Sequence, residues 1–140
     1  IKPGNIMYNP KSKQIKITDF GIARITDNAH TRTGSFLGSP SYMSPEQMLG
    51  AKVERHADIY ALGVTFYQLL TGALPFKSDS IGNLAYVIAN DKHKSVRSLR
   101  SELPSSATRI TNKALQKKPK DRYTSGKEMA DAIRRGIPKK

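Results

Sequence analysis

The stretch that decides the fold is residues 57–71, which reads ADIYALGVTFYQLLT. Most of its residues are apolar, and on a helical wheel they point in all directions. A helix that is apolar all round is buried on every side, so this stretch predicts a central core helix. Gly72 stands where a helix commonly ends in a left-handed residue, and Pro75 prevents the helix from continuing.

Three further helices are predicted on the C-terminal side of this core helix. Apolar residues recur at offsets of three and four in two of them, residues 80–89 and residues 105–116. The third covers residues 125–136 and opens on Ser125 and Glu128. This is the capping-box spacing, in which the serine hydroxyl and the glutamate carboxylate satisfy free N–H groups of the first turn.

The N-terminal side predicts a small β-hairpin followed by a long loop. Residues 14–18 alternate polar and apolar side chains, residues 9–13 have turn composition, and residues 5–8 supply the first strand. Residues 22–45 are rich in Thr, Ser, Gly, Asn and Pro without sustained periodicity. Loops of this length are usually functional or disordered, and we interpret this one as functional. The predicted fold is mainly α with a small β-hairpin.

Composition excludes several classes of function. A length of 140 residues suits one domain with a real core. The absence of cysteine excludes disulfides, a thiol nucleophile and cysteine-ligated metals, and it fits a reducing compartment. No apolar run approaches the length of a membrane span. The chain begins without Met or a signal peptide, so we expect it to be a piece of a longer protein.

The strong positive charge indicates anionic partners without identifying them. Lys and Arg number 24 against 11 Asp and Glu, a net charge of +13, and the basic residues concentrate after residue 91. Proteins that read nucleic acids interleave stacking aromatics with basic groups, yet residues 91–140 hold one aromatic, Tyr123. We therefore favour a solvated basic face and expect no specific nucleic acid; a basic nucleic-acid-binding domain is a distant alternative.

Four features in a fixed order carry the chemistry. They are Lys2-Pro3-Gly4-Asn5, Asp19-Phe20-Gly21, residues 38–46, and Asp58 in the first turn of the core helix. An acidic residue at a strand end followed by Gly suits a metal-binding carboxylate, although it is also typical of a strand-terminating turn.

A carboxylate on a buried helix is costly unless it is paired. Arg122 is a candidate partner for such a carboxylate, because its guanidinium is fork-shaped. Otherwise Asp58 is expected to act as an N-cap or to complement the helix dipole.

These features resemble the eukaryotic-type protein kinases over essentially the whole chain. The five ordered matches are residues 1–5, Asp19-Phe20-Gly21, residues 38–46, residues 57–63 and residues 70–76. They resemble the end of the catalytic loop, the D-F-G motif, the end of the activation segment, the start of the central helix and the segment that follows it. Ser44-Pro45-Glu46 stands in place of A-P-E, and Arg122 resembles the family arginine that pairs with Glu46.

The resemblance implies the C-terminal lobe of the two-lobed kinase fold, with the N-lobe absent. It divides residues 1–140 into the catalytic-loop end at 1–5, the activation segment at 19–46 and a helical subdomain at 47–136. The catalytic Asp would lie just before Ile1. The position of Lys2 is typical of the Ser/Thr branch of the family. The sequences of residues 4–7 and 44–47 resemble those of bacterial members.

The resemblance also implies the roles of four residues and the cofactors, ATP and Mg²⁺. Asn5 and Asp19 would bind the metal, since Mg²⁺ prefers oxygen ligands. Lys2 would place a positive charge on the γ-phosphate of ATP, and Ser39 would help to seat a Ser or Thr hydroxyl of the protein substrate. Asn5, Asp19 and Lys2 together would form the cofactor site.

Further expectations concern regulation and context. Thr31 and Thr33 lie in the long loop beside basic residues, so they are candidate phosphorylation sites, the alternative being two exposed threonines. Bacterial members are often cytoplasmic domains of membrane receptors. The resemblance therefore predicts a cytoplasmic location, and a membrane-anchored receptor kinase is one possible parent protein. The basic tail at residues 134–140 suits that form, although a solvated end is the simpler interpretation.

The 140 residues alone are expected to be inactive as a kinase, because they contain no Gly-rich phosphate loop and no strand lysine paired with a helix glutamate. The expected partners are a protein substrate and the missing N-lobe. A second copy of the chain is a further expected partner, because exposed apolar surface promotes self-association. The alternative function is a non-catalytic pseudokinase or scaffold. Retention of Lys2, Asn5 and Asp19 argues against it, because a scaffold needs none of them.

Overall fold

The computed structural model describes residues 1–18 and 40–138. Over these residues an antiparallel hairpin, β1 (Ile6–Asn9) and β2 (Gln14–Ile17), precedes the helices. The helices are α1 (Pro45–Met48), α2 (His56–Thr71), α3 (Ile81–Asn90), α4 (Val96–Leu99), α5 (Ser105–Ala114) and α6 (Gly126–Gly136). Short 3-10 helices cover Pro3–Asn5, Pro40–Tyr42 and Pro119–Asp121. The predicted class, mainly α with a small hairpin, is confirmed.

Helix α2 is the core helix that its composition predicts. Tyr60 and Val64 are fully buried, and Gly72 ends the helix in the left-handed conformation with φ of 74°. Gly63 lets α2 and α5 approach closely, because a Cβ at that position would lie 2.7 Å from the Cβ of Ala114. The missing side chain therefore sets the distance between the two central helices.

Two hydrophobic clusters pack against opposite parts of α2. The larger one joins α2 to α3, α4 and the start of α5, and its fully buried members include Tyr60, Val64, Ile88 and Val96. The smaller one joins α2 to α5 and α6 through Ile59, Ile110, Ala114, Tyr123 and Met129. The burial of apolar side chains in these two clusters is the main favourable contribution to folding.

The three predicted outer helices form close to their expected bounds. Ser80 caps α3 by accepting from the Asn83 N–H, and Ser125 caps α6 by accepting from the Glu128 N–H. The second half of the predicted capping box is wrong, because the Glu128 carboxylate accepts from the N–H of Thr124 instead of that of Ser125. The Glu128 carboxylate also accepts hydrogen bonds from the Thr124 hydroxyl and from the Lys113 ammonium, which hold it in this position.

The hairpin also forms as predicted, with strands one residue away from their expected bounds. The side chain of Asn9 accepts from the N–H groups of Lys11 and Ser12, and Lys13 adopts a φ of 56° to close the turn. Tyr8 pairs with Ile15 across the strands. Both side chains are more than half exposed, at 60% and 65%.

Candidate functional site

Lys2 and Asn5 come together in a single turn at the start of the described chain. The 3-10 helix Pro3–Asn5 connects them, and the Asn5 N–H donates to the Lys2 carbonyl at 3.0 Å. Proline at the first position favours this turn because its φ is already fixed near the helical value. Both side chains are half-buried. The turn therefore presents a cation and an amide on one short, ordered segment.

The hairpin fixes the position of Asn5 from the other side. Its carbonyl accepts from the Thr18 N–H at 2.7 Å and from the Thr18 hydroxyl at 3.3 Å. These bonds extend the hydrogen bonding between β1 and β2 by one residue beyond the pair of Ile6 and Ile17. The remaining predicted site residues, Asp19, Thr31, Thr33 and Ser39, lie outside the described residues.

Glu46 and Arg122 are brought together as a buried ion pair, although 76 residues separate them in sequence. The Arg122 Nη1 donates to Glu46 Oε1 at 2.7 Å, and Nη2 donates to Glu46 Oε2 at 2.8 Å. Both partners lie out of water, with side-chain exposures of 0% for Arg122 and 10% for Glu46. Two parallel bonds of this kind fix the relative orientation of the two groups as well as their distance.

Arg122 also binds three backbone carbonyls from two separate parts of the chain. Its Nε donates to the carbonyl of Gln116 at 2.7 Å, Nη1 donates to that of His56 at 2.9 Å, and Nη2 donates to that of Lys117 at 3.0 Å. With the two bonds to Glu46, all five N–H groups of the guanidinium are satisfied. The guanidinium carbon lies 5.0 Å from the centre of the Tyr60 ring. One side chain thus ties α1, the start of α2 and the segment after α5 to each other.

The environment keeps this pair charged. Burial by itself would raise the pKa of Glu46, but the hydrogen bonds and the positive charge of Arg122 bring that pKa below its usual value. Burial also raises the pKa of Tyr60, so its phenol stays neutral next to the guanidinium. The pair is therefore a fixed electrostatic lock at neutral pH.

A capping box places Glu46 in the first turn of α1. Ser44 is buried, its side chain accepts from the Gln47 N–H, and the Gln47 side chain accepts from the Ser44 N–H at 2.9 Å. Pro45 occupies the first position of the helix, where a missing N–H does no harm. The sequence analysis missed α1, yet the Ser-x-x-Gln spacing of Ser44 and Gln47 is a recognisable helix start.

The expectation that Asp58 is buried and paired is wrong. Asp58 lies in the first turn of α2, as predicted, but on its exposed side, and Arg122 is committed to Glu46. The adjacent residues Ala57 and Ile59 carry the buried face instead. The placement agrees with the second interpretation, in which the carboxylate complements the positive end of the helix dipole.

Sequence reasoning also missed the role of Tyr60, which stacks beneath Arg122. The residue was visible only as one aromatic among many apolar positions of the core helix. Its contact with Arg122 depends on how the segment after α5 returns to α2, which no local pattern encodes. Helix α4 was missed as well, although Ser95 caps it by accepting from the Arg97 N–H.

With this geometry established, comparison with known proteins gives the class. The helical fold and its buried Glu–Arg lock define the C-terminal lobe of a kinase-like domain. The sequence matches the family described as "Protein kinase domain" over residues 1–133, and the chain therefore belongs to the protein kinase family. Members of this family generally use ATP and Mg²⁺ and act on protein substrates.

Individual relatives come from bacteria. The chain is 40% identical over 135 residues to "Serine/threonine-protein kinase pkn3" of Myxococcus xanthus, covering 89% of this chain and 25% of that protein. It is 38% identical over 138 residues to "Serine/threonine-protein kinase PknB" of Mycolicibacterium smegmatis, covering 96% of this chain and 22% of that protein. A third, "Tyrosine-protein kinase MasK" of Myxococcus xanthus, is 40% identical over 95% of this chain and 21% of that protein.

These coverages show that the chain spans a quarter or less of the length of these relatives. Membership of the family rests on the match over residues 1–133. The names of the relatives include both Ser/Thr and Tyr kinases.

Proposed function

We propose that this chain forms the C-terminal lobe of a Ser/Thr protein kinase that transfers the γ-phosphoryl group of ATP to protein hydroxyls. The observation that carries the proposal is the pair of bonds from Thr18 to the carbonyl of Asn5, at 2.7 and 3.3 Å. They anchor Asn5 to the residue that precedes Asp19 in the sequence. Asn5, one proposed metal ligand, is thus hydrogen bonded to the residue that directly precedes the other proposed ligand in the sequence.

The donor chemistry of these residues fits magnesium. The proposed site consists of the amide of Asn5 and the carboxylate of Asp19. An amide oxygen and a carboxylate suit Mg²⁺, which keeps several waters and takes few protein ligands. Bound Mg²⁺ neutralises negative charge on the phosphates of ATP.

The other proposed roles belong to side chains of the chain itself. Lys2 contributes a positive charge toward the γ-phosphate, and its place one turn from Asn5 supports that role. Ser39 seats the acceptor hydroxyl. The lock between Glu46 and Arg122 holds the end of the activation segment on the helical subdomain, which keeps the acceptor site in a fixed orientation.

We further propose that the hairpin is the surface on which the missing N-lobe sits. The strand pairing puts Ile6, Tyr8, Ile15 and Ile17 on one face, because Ile6 pairs with Ile17 and Tyr8 with Ile15. Three of the four are 45% to 65% exposed. An apolar face of this kind also supports self-association of the isolated chain. The chain by itself is proposed to be inactive for want of the ATP-binding elements of the N-lobe.

Two proposals about context remain. Thr31 and Thr33 are proposed phosphorylation sites; phosphopeptide mass spectrometry of an active enzyme would discard them if phosphate appeared only elsewhere. The proposed location is the cytoplasm, with a membrane-anchored receptor kinase as one form of the parent protein. In the described part of the chain, no helix combines the length and the hydrophobicity required to cross a bilayer.

A chimera tests the phosphoryl-transfer function. The segment of PknB from Mycolicibacterium smegmatis that aligns with this chain is replaced by residues 1–138, and transfer of labelled phosphate to a protein substrate is measured. The chimera should transfer phosphate to Ser or Thr, and Asp19→Ala and Asn5→Ala should each abolish most of the activity. The Lys120→Ala variant, at an exposed lysine outside the site, serves as the matched control.

A folded chimera without activity would favour the pseudokinase or scaffold alternative. Phosphate found on tyrosine would contradict the Ser/Thr assignment. Phosphoamino-acid analysis of the labelled substrate separates these results.

A further inference from the structure

A cleft between α5 and α6 lies apart from the residues proposed for phosphoryl transfer. Its volume is about 400 Å³, and its polar lining is formed by Arg109, Lys113, Tyr123, Glu128 and Arg135. Helix α5 supplies the first two of these side chains one helical turn apart, and the last turn of α6 supplies Arg135. Three cations therefore line one concave surface.

The three cations line the cleft together with the ring of Tyr123. The Lys113 ammonium lies 4.5 Å from the centre of that ring. Burial raises the pKa of Tyr123, whereas the positive charges of Lys113, Arg109 and Arg135 all act to lower it. Glu128 acts in the opposite sense, but three basic side chains against one carboxylate in the lining leave a local positive potential in the cleft.

Most of this positive charge is not neutralised within the cleft. Glu128 is the acidic group of the lining, and it is bound to Lys113 at 2.9 Å and to the Thr124 N–H at 2.7 Å. In the parts of the chain that the structure describes, neither Arg109 nor Arg135 forms an ion pair, although the charge of Arg135 helps to lower the pKa of Asp131, which is itself paired with Lys127 and Arg134. Two guanidinium groups are thus available to an anion.

We propose that this cleft binds the phosphate group of a phosphorylated Ser or Thr in a protein segment. A phosphate monoester carries about −1.5 to −2 charges and three acceptor oxygens, which matches two guanidinium forks. Arg135 lies at the carbonyl end of α6, where the helix dipole disfavours anions, so the side chains must supply the attraction.

The shape of the cleft favours a peptide over a membrane surface. Ile110 and Ala132 form its apolar lining beside the Tyr123 ring; Ile110 is 4% exposed, so the half-buried Ala132 is the one that offers a contact to the residues next to a phosphorylated side chain. A flat anionic bilayer would engage a convex or planar basic surface and would gain nothing from a concave one. The proposed binding requires no phosphoryl transfer, so it can fail or succeed independently of the kinase function.

The test measures the fluorescence anisotropy of a labelled phosphoserine peptide titrated with the chain. The phosphopeptide should bind at least about tenfold more tightly than the unphosphorylated peptide of the same sequence, because that peptide cannot form the charge-assisted bonds to phosphate. The double variant Arg109→Gln/Arg135→Gln should bind the phosphopeptide at least about tenfold more weakly than the wild type. The charge-matched control, Arg55→Gln/Arg97→Gln, changes two exposed arginines outside the cleft and should bind like the wild type.

Several outcomes would overturn the proposal. Equal affinity for the two peptides, equal loss in the two double variants, or displacement of the peptide by inorganic phosphate at equal concentration would each do so. Vesicles of phosphatidylglycerol or duplex DNA that bind through Arg109 and Arg135 while the phosphopeptide does not would assign the cleft to another anion. Far-ultraviolet circular dichroism must show the same helix content in all variants, which is expected because all four arginines are exposed.

Discussion

The hairpin and the helical region differ in the solvent exposure of their apolar side chains. In the helical region Tyr60, Val64 and Ile88 are fully buried, whereas Tyr8 and Ile15 of the hairpin are 60% and 65% exposed. Both regions were predicted from the pattern of their apolar residues, yet only in the helical region are those residues covered by other parts of the described chain. The difference shows that apolar periodicity identifies a face to be covered without saying what covers it.

The two regions are also held by different kinds of interaction. The hairpin depends on strand pairing and on the side chain of Asn9 in its turn. The helical region has two hydrophobic clusters and the fully bonded guanidinium of Arg122. Asn5, one of the two residues proposed as metal ligands, directly precedes β1, whereas the buried ion pair lies in the helical region.

The largest expected effect comes from breaking the lock of the helical region. Arg122→Met should lower the free energy of unfolding by about 3–5 kcal/mol, because it leaves a buried carboxylate without its partner and frees three carbonyls. Urea denaturation followed by circular dichroism measures the change. The Lys52→Met control breaks the exposed pair with Glu54 and should cost less than about 1 kcal/mol. Equal losses in the two variants would show that Arg122 is not the lock we describe.

A smaller effect is expected from filling the closest approach of α2 and α5. Gly63→Ala places a methyl group 2.7 Å from the Cβ of Ala114, and overpacking of this kind should destabilise the chain by about 1–3 kcal/mol. Adding Ala114→Gly should restore part of the loss in the same urea experiment. Gly82→Ala in α3 is the matched control, because nothing lies within 4 Å of the added methyl. A Gly63→Ala variant as stable as the control would refute the close approach.

Local patterns in the sequence were enough for most of the fold. The all-round apolar stretch predicted α2, the three-and-four spacing predicted α3 and α5, and a serine N-cap marked the start of α6. The same kind of signal was overlooked at Ser44 and Gln47, where a capping box begins α1. Helix α1 has only four residues, so no apolar period could have drawn attention to it.

Contacts between distant segments could be inferred only in part. The pairing of Glu46 with Arg122 was predicted from resemblance to a family, whereas reasoning from the residues alone suggested Asp58 as the partner of Arg122. The second prediction is wrong because Asp58 is exposed and Arg122 binds Glu46. The place of Tyr60 beneath the guanidinium, and the cations that gather around Tyr123, depend on how three separate segments meet. Sequence periodicity does not contain that information.

The next prediction concerns the exposed face of the hairpin. Tyr8→Thr/Ile15→Thr keeps residues that suit a strand but removes a directly opposed apolar pair. Because both side chains are exposed, each substitution should change the free energy of unfolding by no more than about 0.5 kcal/mol. Sedimentation velocity should nevertheless show weaker self-association than in the wild type. Leu69→Gln, at an exposed leucine of α2, is the control that should leave it unchanged. A wild-type chain that stays monomeric at all concentrations would contradict the prediction.

The smallest effect concerns Lys117, a cation within the apolar region. Its ammonium lies 4.2 Å from the centre of the Phe76 ring and donates to the Ile88 carbonyl. Burial, aided by Arg122 and opposed by Asp91, lowers the pKa of Lys117 to about 8. In the unfolded chain that pKa is about 10.4, so between about pH 8 and 10 the unfolded state binds more protons and stability should rise with pH. Below about pH 8 this contribution is constant.

Replacing this lysine should remove the alkaline rise. Lys117→Met should give a free energy of unfolding that does not increase between about pH 8 and 10, whereas Lys120→Met, at an exposed lysine, should keep the increase. Solvent screening at a half-buried site limits the rise to less than about 1 kcal/mol. Above about pH 10 the raised pKa values of Tyr42, Tyr67 and Tyr123 reverse the trend, because the unfolded state then loses its phenol protons first. Equal slopes in Lys117→Met and Lys120→Met would place the alkaline rise elsewhere in the chain. A slope lost only in Lys117→Met would show that burying the Lys117 ammonium in the helical region lowers the free energy of unfolding below about pH 10, an effect that the solvent-exposed lysines of the hairpin do not have.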